Sequence, residues 1–180
     1  YQTALVNGLQ RDYKQKIKEL DQLIRDYPGS SYVPSALYEE GRAYQQTDRP
    51  TQAINVFRRI VTDYPSSDLA RKASAEMALI YYQTEKYDDA IKAYKDVIAR
   101  YPGSDEARTA MVDLKSIYVE TGDINSFVEY TKTVQGAAPI AVSEQDSLTY
   151  AAAENAFSRG DKEQALIRFR QYLERFGNGA

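Results

Sequence analysis

Tyr27-Pro28-Gly29-Ser30 returns as Tyr64-Pro65-Ser66-Ser67 and again as Tyr101-Pro102-Gly103-Ser104, so one mark recurs at an interval of 37 residues. Pro139 is a fourth echo, and Phe176-Gly177-Asn178-Gly179 a fifth, about two periods after the third. A period in the range of about 20–50 residues implies units that cannot bury their apolar faces alone and must stack on their neighbours. The mark itself reads as a helix exit followed by a helix entry. A residue before proline is pushed out of the α region, so Tyr27, Tyr64 and Tyr101 end helices. Gly29 and Gly103 suit the positive φ of such exits. Ser30, Ser67 and Ser104, or the polar residue after each, suit the free N–H groups of the next helix.

Between the marks, each unit predicts two amphipathic helices joined by a polar turn. In the second unit Ala36, Gly41, Ala43 and Tyr44 precede Thr47-Asp48-Arg49-Pro50, and Ala53, Ile54, Phe57, Ile60 and Val61 follow at helical spacing. The third aligns with it without a gap: Ala73, Ala78, Ile80 and Tyr81, then Thr84-Glu85-Lys86-Tyr87, then Ala90, Ile91, Tyr94, Val97 and Ile98. The expected repeats are 1–30 (partial), 31–67, 68–104, 105–142 (degenerate) and 143–180. The chain is expected to be all-α, with about five helix-turn-helix units cut from a longer array.

Composition narrows the chemistry. The 180 residues contain neither cysteine nor histidine, which excludes disulfides, thiol nucleophiles, Cys/His zinc sites and His-dependent acid–base catalysis. No glycine arrangement resembles a phosphate-cradling loop. Asp88-Asp89 open a second helix, where carboxylates satisfy free N–H groups and the helix dipole, and the adjacent Glu39 and Glu40 point in different directions. No enzymatic activity, cofactor or metal is expected. A net charge of −3, with basic residues in isolated doublets, argues against nucleic acid. No apolar run approaches the length needed to enter a membrane.

Gly41, Tyr44, Ala53, Phe57 and Pro65, and again Ala78, Tyr81, Ala90, Tyr94 and Pro102, resemble the signature of the tetratricopeptide repeat family. The resemblance implies a right-handed α-α superhelix, a solenoid in which the first helices line a concave groove. The 37-residue period, against the usual ~34, resembles the bacterial cell-envelope branch, similar to the periplasmic Tol-Pal coordinator and the lipoprotein of the outer-membrane β-barrel assembly machinery. That implies a periplasmic or cell-envelope location. The fourth repeat departs from the pattern: Lys115 stands for Gly or Ala, Phe127 for Ala and Thr131 for the aromatic, so Phe127 is expected to splay its helix pair. The first repeat has Lys16 in place of Ala.

Sixteen tyrosines remain to be assigned. Tyr44, Tyr81, Tyr118, Tyr94 and Tyr172 fall at core positions, Tyr13 and Tyr87 follow turns, and Tyr27, Tyr64 and Tyr101 should pack onto the next unit. Groove positions implied by the family map to Tyr38, Arg42 and Gln45; Ala75, Leu79 and Tyr82; Val112, Ser116 and Val119; and Tyr150, Glu154 and Phe157. The Lys and Asn pair that clamps a C-terminal carboxylate in chaperone-tail receptors of the family is absent there. Amphipathic rings with few rotatable bonds suit protein contact. The expected function is therefore a non-catalytic scaffold that binds a protein or peptide segment in the groove. The alternative is a structural spacer, self-associating through an uncapped C-terminal face that carries Leu166, Phe169 and Tyr172.

Overall fold

A computed structural model describes residues 1–177, so Asn178 and Gly179 of the last echo lie outside the described residues. Among them are ten helices and no strand, in five pairs: α1 (Gln2–Leu9) with α2 (Tyr13–Asp26), α3 (Val33–Gln46) with α4 (Pro50–Asp63), α5 (Asp68–Gln83) with α6 (Tyr87–Arg100), α7 (Asp105–Thr121) with α8 (Ile124–Thr133), and α9 (Val142–Ser158) with α10 (Lys162–Phe176). The expected all-α, five-repeat reading holds.

The turn inside each pair repeats as faithfully as the helices. Arg11 (φ 61°), Asp48 (54°), Glu85 (58°), Gly122 (80°) and Gly160 (80°) occupy one equivalent position and all adopt the left-handed conformation. That conformation costs a residue with a side chain about 1–2 kcal/mol, a cost that Gly122 and Gly160 avoid. The following residue then starts the second helix. Asp12, Asp123 and Asp161 accept from the backbone N–H of Gln15, Ser126 and Gln164 at 3.0, 3.2 and 3.1 Å. In the other two pairs Pro50 opens α4, and Asp88 and Asp89 occupy the first turn of α6. Between repeats the serines cap as expected: Ser67 accepts from Leu69 and Ser104 from Ala107, both at 3.1 Å. Gly103 takes positive φ, whereas Gly29 does not.

The chain divides into two compact units, Tyr1–Ala110 and Met111–Ala180. In the first, the core is a continuous cluster containing Leu20, Ala36, Leu37, Ala53, Phe57, Ile60, Ala70 and Ala73. Phe57 is fully buried and lies against Gly41 so closely that an added Cβ would sit 2.6 Å from its ring. Tyr94 is buried at the equivalent place in the third repeat. The other tyrosines follow expectation in part, Tyr64 packing against the cluster that includes Ala70 and Ala73 and Tyr118 being buried. Tyr44, Tyr64 and Tyr81 are only half-buried, packing on the cluster edge, and Tyr27 is exposed, so it does not pack onto the next unit.

Two charged groups are buried in this unit. Lys16, standing where the second, third and fifth repeats have Ala53, Ala90 and Ala165, donates to Glu39 at 2.5 Å. Glu40, on the neighbouring face of α3, is 5% exposed. Burial, with the nearby Asp21 carboxylate, pushes its pKa up to about 7, partly opposed by Arg59 and the hydroxyl of Tyr44.

In the second unit Tyr118 and Phe127 are buried with ring centroids 5.8 Å apart. Lys115 reaches Glu144 at 3.3 Å. Arg168 of α10 donates to the carbonyls of Glu120 (3.1 Å), Thr121 (2.9 Å) and Ala152 (3.0 Å), capping the end of α7 and tying it to α9 and α10. A Cβ on Gly122 would meet that guanidinium at 2.6 Å, so the φ favours glycine here and the Arg168 cap adds a steric reason that the other repeats lack.

Two measurements test these assignments. Gly41→Ala should destabilise by about 1–3 kcal/mol in chemical denaturation, through overpacking against Phe57; no loss would mean the ring can move aside. Because the folded-state pKa of Glu40 is raised, its contribution is full below the ordinary carboxylate range and is lost as the pH rises through about 7. Glu40→Gln should remove that slope, leaving the variant more stable than the parent at pH ~8 by on the order of 2 kcal/mol. Parallel slopes for the two proteins would refute the assignment.

Candidate protein-binding surface

In the first unit, the groove positions read from sequence are partly consumed by packing between repeats. The Tyr38 ring lies 5.6 Å from that of Phe57, and its hydroxyl donates to Glu76 of α5 at 3.2 Å. Gln45, two turns on, donates to the other oxygen of the same carboxylate at 2.9 Å. Glu76 thus clips the first helix of one repeat to that of the next. Burial and the adjacent Glu76 charge push the Tyr38 hydroxyl up to about 12. Arg42, between these residues on α3, is exposed and borders a cleft of about 520 Å³ shared with Leu9, Tyr13, Lys16 and Glu39. Leu79 and Tyr82 are half-buried, the Tyr82 ring resting 6.3 Å from Tyr87 at the start of α6.

In the second unit Val112, Tyr150, Glu154 and Phe157 are exposed and Ser116 is half-buried, whereas Val119 packs against the cluster of Ile124, Val128 and Ala152. Ser116 turns back to donate to the Val112 carbonyl at 3.2 Å. On α9, Tyr150, Glu154 and Phe157 stand at i, i+4 and i+7, hence on one face. Tyr150 is 41% exposed and Phe157 65%, with the exposed Glu154 between them. A hydrogen bond to Glu154, with that carboxylate's charge, raises the pKa of the Tyr150 hydroxyl. One edge of the Tyr150 ring meets α10, 5.8 Å from Phe169 and 5.3 Å from Tyr172. Tyr172 continues to Phe176 at 5.8 Å, and the Arg175 guanidinium covers that ring at 5.1 Å. The Tyr172 hydroxyl bonds to Asp146, which raises its pKa.

The structure therefore brings together Tyr38 and Gln45 through Glu76, and Tyr150 with Glu154 beside Phe157. Glu76 was not singled out in the sequence, although it follows the groove position Ala75 directly. A single helical step decides whether such a residue faces the open surface or the neighbouring repeat, and only packing sets that rotation. Among the described residues no cluster of three acidic side chains could hold a metal ion, and no helix is long and apolar enough to cross a membrane.

Comparison with known proteins agrees with the helix pairing. Two family models described as tetratricopeptide repeat match the chain, one over residues 1–30 and the other over 38–105 and 75–114. No curated protein matches it. Among solved structures, the chain is similar to MamA of AMB-1, with 21% identity over 99% of this chain and 90% of that one at a TM-score of 0.55. A second MamA structure gives 16% identity over 96% and 93% at 0.59. A kinesin-light-chain-type protein of Podosopora anserina with nearly identical TPR-like repeats gives 14% over 96% and 91% at 0.55. At these identities the likeness concerns the fold. With the repeated left-handed turn and the small-residue and aromatic pairs of the second and third repeats, these matches place the chain in the tetratricopeptide repeat family.

Proposed function

We propose that the chain is a non-catalytic scaffold that binds a segment of a partner protein on its first-helix faces. The observation that carries this reading is the α9 stripe, in which Tyr150 and Phe157 flank Glu154 on one exposed face. Large rings left at the surface in helical register are a recurrent feature of docking faces. In the first unit, exposed Arg42 offers a cation beside Tyr38 and Gln45, whose own polar groups are held by Glu76. A partner segment complementary to α9 presents apolar side chains to the Tyr150 and Phe157 rings. The 37-residue period and its resemblance to the cell-envelope branch support a periplasmic or envelope setting.

Replacing Tyr150 and Phe157 together by Ala should abolish crosslinking to partners in cell-envelope extract while leaving helical content and cooperative melting intact. An unchanged set of crosslinked partners from the folded variant would sink the proposal.

A second reading, self-association, is favoured by one feature of α10. Leu166 and Leu173 are exposed, whereas their counterparts Ile54 and Ile98 in earlier repeats are buried. A second copy covering this face would restore the burial that those isoleucines have. Sedimentation of Leu166→Glu/Leu173→Glu beside the parent tests it: the parent should show concentration-dependent association and the variant a single slow species. Identical sedimentation of the two would remove this reading.

A further inference from the structure

The fourth repeat exchanges two side chains that the second and third repeats keep in order. At the position of buried Ala53 and Ala90 it has Phe127, and at the position of buried Phe57 and Tyr94 it has Thr131. The aromatic ring is thereby moved back one helical turn, onto Tyr118. Thr131 is itself buried, but its hydroxyl turns back to the Val128 carbonyl at 2.8 Å and cannot fill the space of a ring. At the place the ring has left there is an apolar pocket of about 240 Å³. Its walls are Met111, Val112, Phe127, Thr131 and Ile140, with Ala137 and Ala138 of the following loop. An apolar cavity of roughly 150 Å³ is enough to take benzene.

Two features point outward from this pocket. Val112, at the first-helix surface position of its repeat, is 59% exposed at the pocket wall. Lys115 is the one charged residue lining it, with its side chain 40% exposed and its ammonium 3.3 Å from Glu144. A half-exposed pair of this kind is held weakly, so a competing carboxylate can share the ammonium.

We infer that this pocket receives an aromatic side chain of the bound partner segment, with an acidic group next to that ring meeting Lys115. The inference rests on the scaffold reading above and adds to it the chemistry of one anchor. The vacant aromatic position of the repeat is filled in trans, and the degenerate repeat is the one that selects the ligand.

The probes are 4-fluorophenylacetate, which carries both ring and carboxylate, and 4-fluorotoluene, which carries the ring alone. Both are titrated into the full chain and followed by ¹⁹F resonances and by the methyl resonances of Met111 and Ile140. Both probes should shift those two methyls in the parent protein, and the carboxylate probe should bind several-fold tighter. Lys115→Met should erase that preference and leave 4-fluorotoluene binding unchanged. Thr131→Phe should fill the pocket and abolish binding of both. Methyls that do not respond in the parent protein would overturn the proposal without recourse to any variant, as would undiminished binding to a folded Thr131→Phe protein. If the probes fail while Tyr150→Ala/Phe157→Ala still abolishes partner crosslinking, the pocket inference falls and the scaffold reading stands. If the probes bind but that double variant keeps its partners, the scaffold reading falls.

Discussion

The packing of an aromatic ring onto a small residue is the contact from which the rest of this structure follows. Phe57 fits because Gly41 has no Cβ, and Ala53, one turn before it, is as fully buried as the ring itself. That close approach lets helices of eight to seventeen residues bury apolar surface against their partners, and the shorter of them would be marginal in isolation. The left-handed turn at Arg11, Asp48, Glu85, Gly122 and Gly160 recurs at one position in all five pairs, directly before the second helix. Three of the five accept a side chain there despite its cost, which shows how strongly packing determines the turn.

The same contact accounts for the irregular repeats. In the first, Lys16 takes the small position, and its stem stays buried because Glu39 lies within reach of its ammonium. In the fourth, the exchange of Ala for Phe127 and of an aromatic for Thr131 conserves much of the apolar volume but relocates it. Cores tolerate substitutions that preserve total volume better than ones that change shape, and the misfit remains as space. Degeneracy here is a redistribution of atoms, with Tyr118 and Phe127 both buried and their rings in contact.

Polar groups add a second layer of constraint. Glu76 holds Tyr38 and Gln45, Arg168 gathers three carbonyls, and burial raises the pKa of Glu40 well above the ordinary carboxylate range. Each lies between elements that are distant in sequence. They make the stacking of repeats specific, because an unpaired polar group at any of these junctions would cost on the order of 1–3 kcal/mol. A surface assembled this way exposes what the junctions do not need, and on α9 that is the stripe of Tyr150, Glu154 and Phe157.

Sequence alone determined the period, the helix pairs, the turn positions, the caps at Ser67 and Ser104 and the family, because each depends on residues within one turn or one repeat of each other. It also located the departures at Lys16, Lys115, Phe127 and Thr131, where register made a mismatch visible. Tertiary structure decided what each surface-directed residue does. Tyr38 and Tyr150 occupy the same repeat position, yet the hydroxyl of one donates to Glu76 on the first helix of the next repeat, whereas the other is hydrogen-bonded to Glu154 of its own helix and stands half-open beside Phe169. The exposure of Tyr27, the burial of Glu40 and the pocket beside Thr131 follow the same logic. All depend on which atoms of another repeat arrive opposite them, and helical register within one repeat carries no information about that.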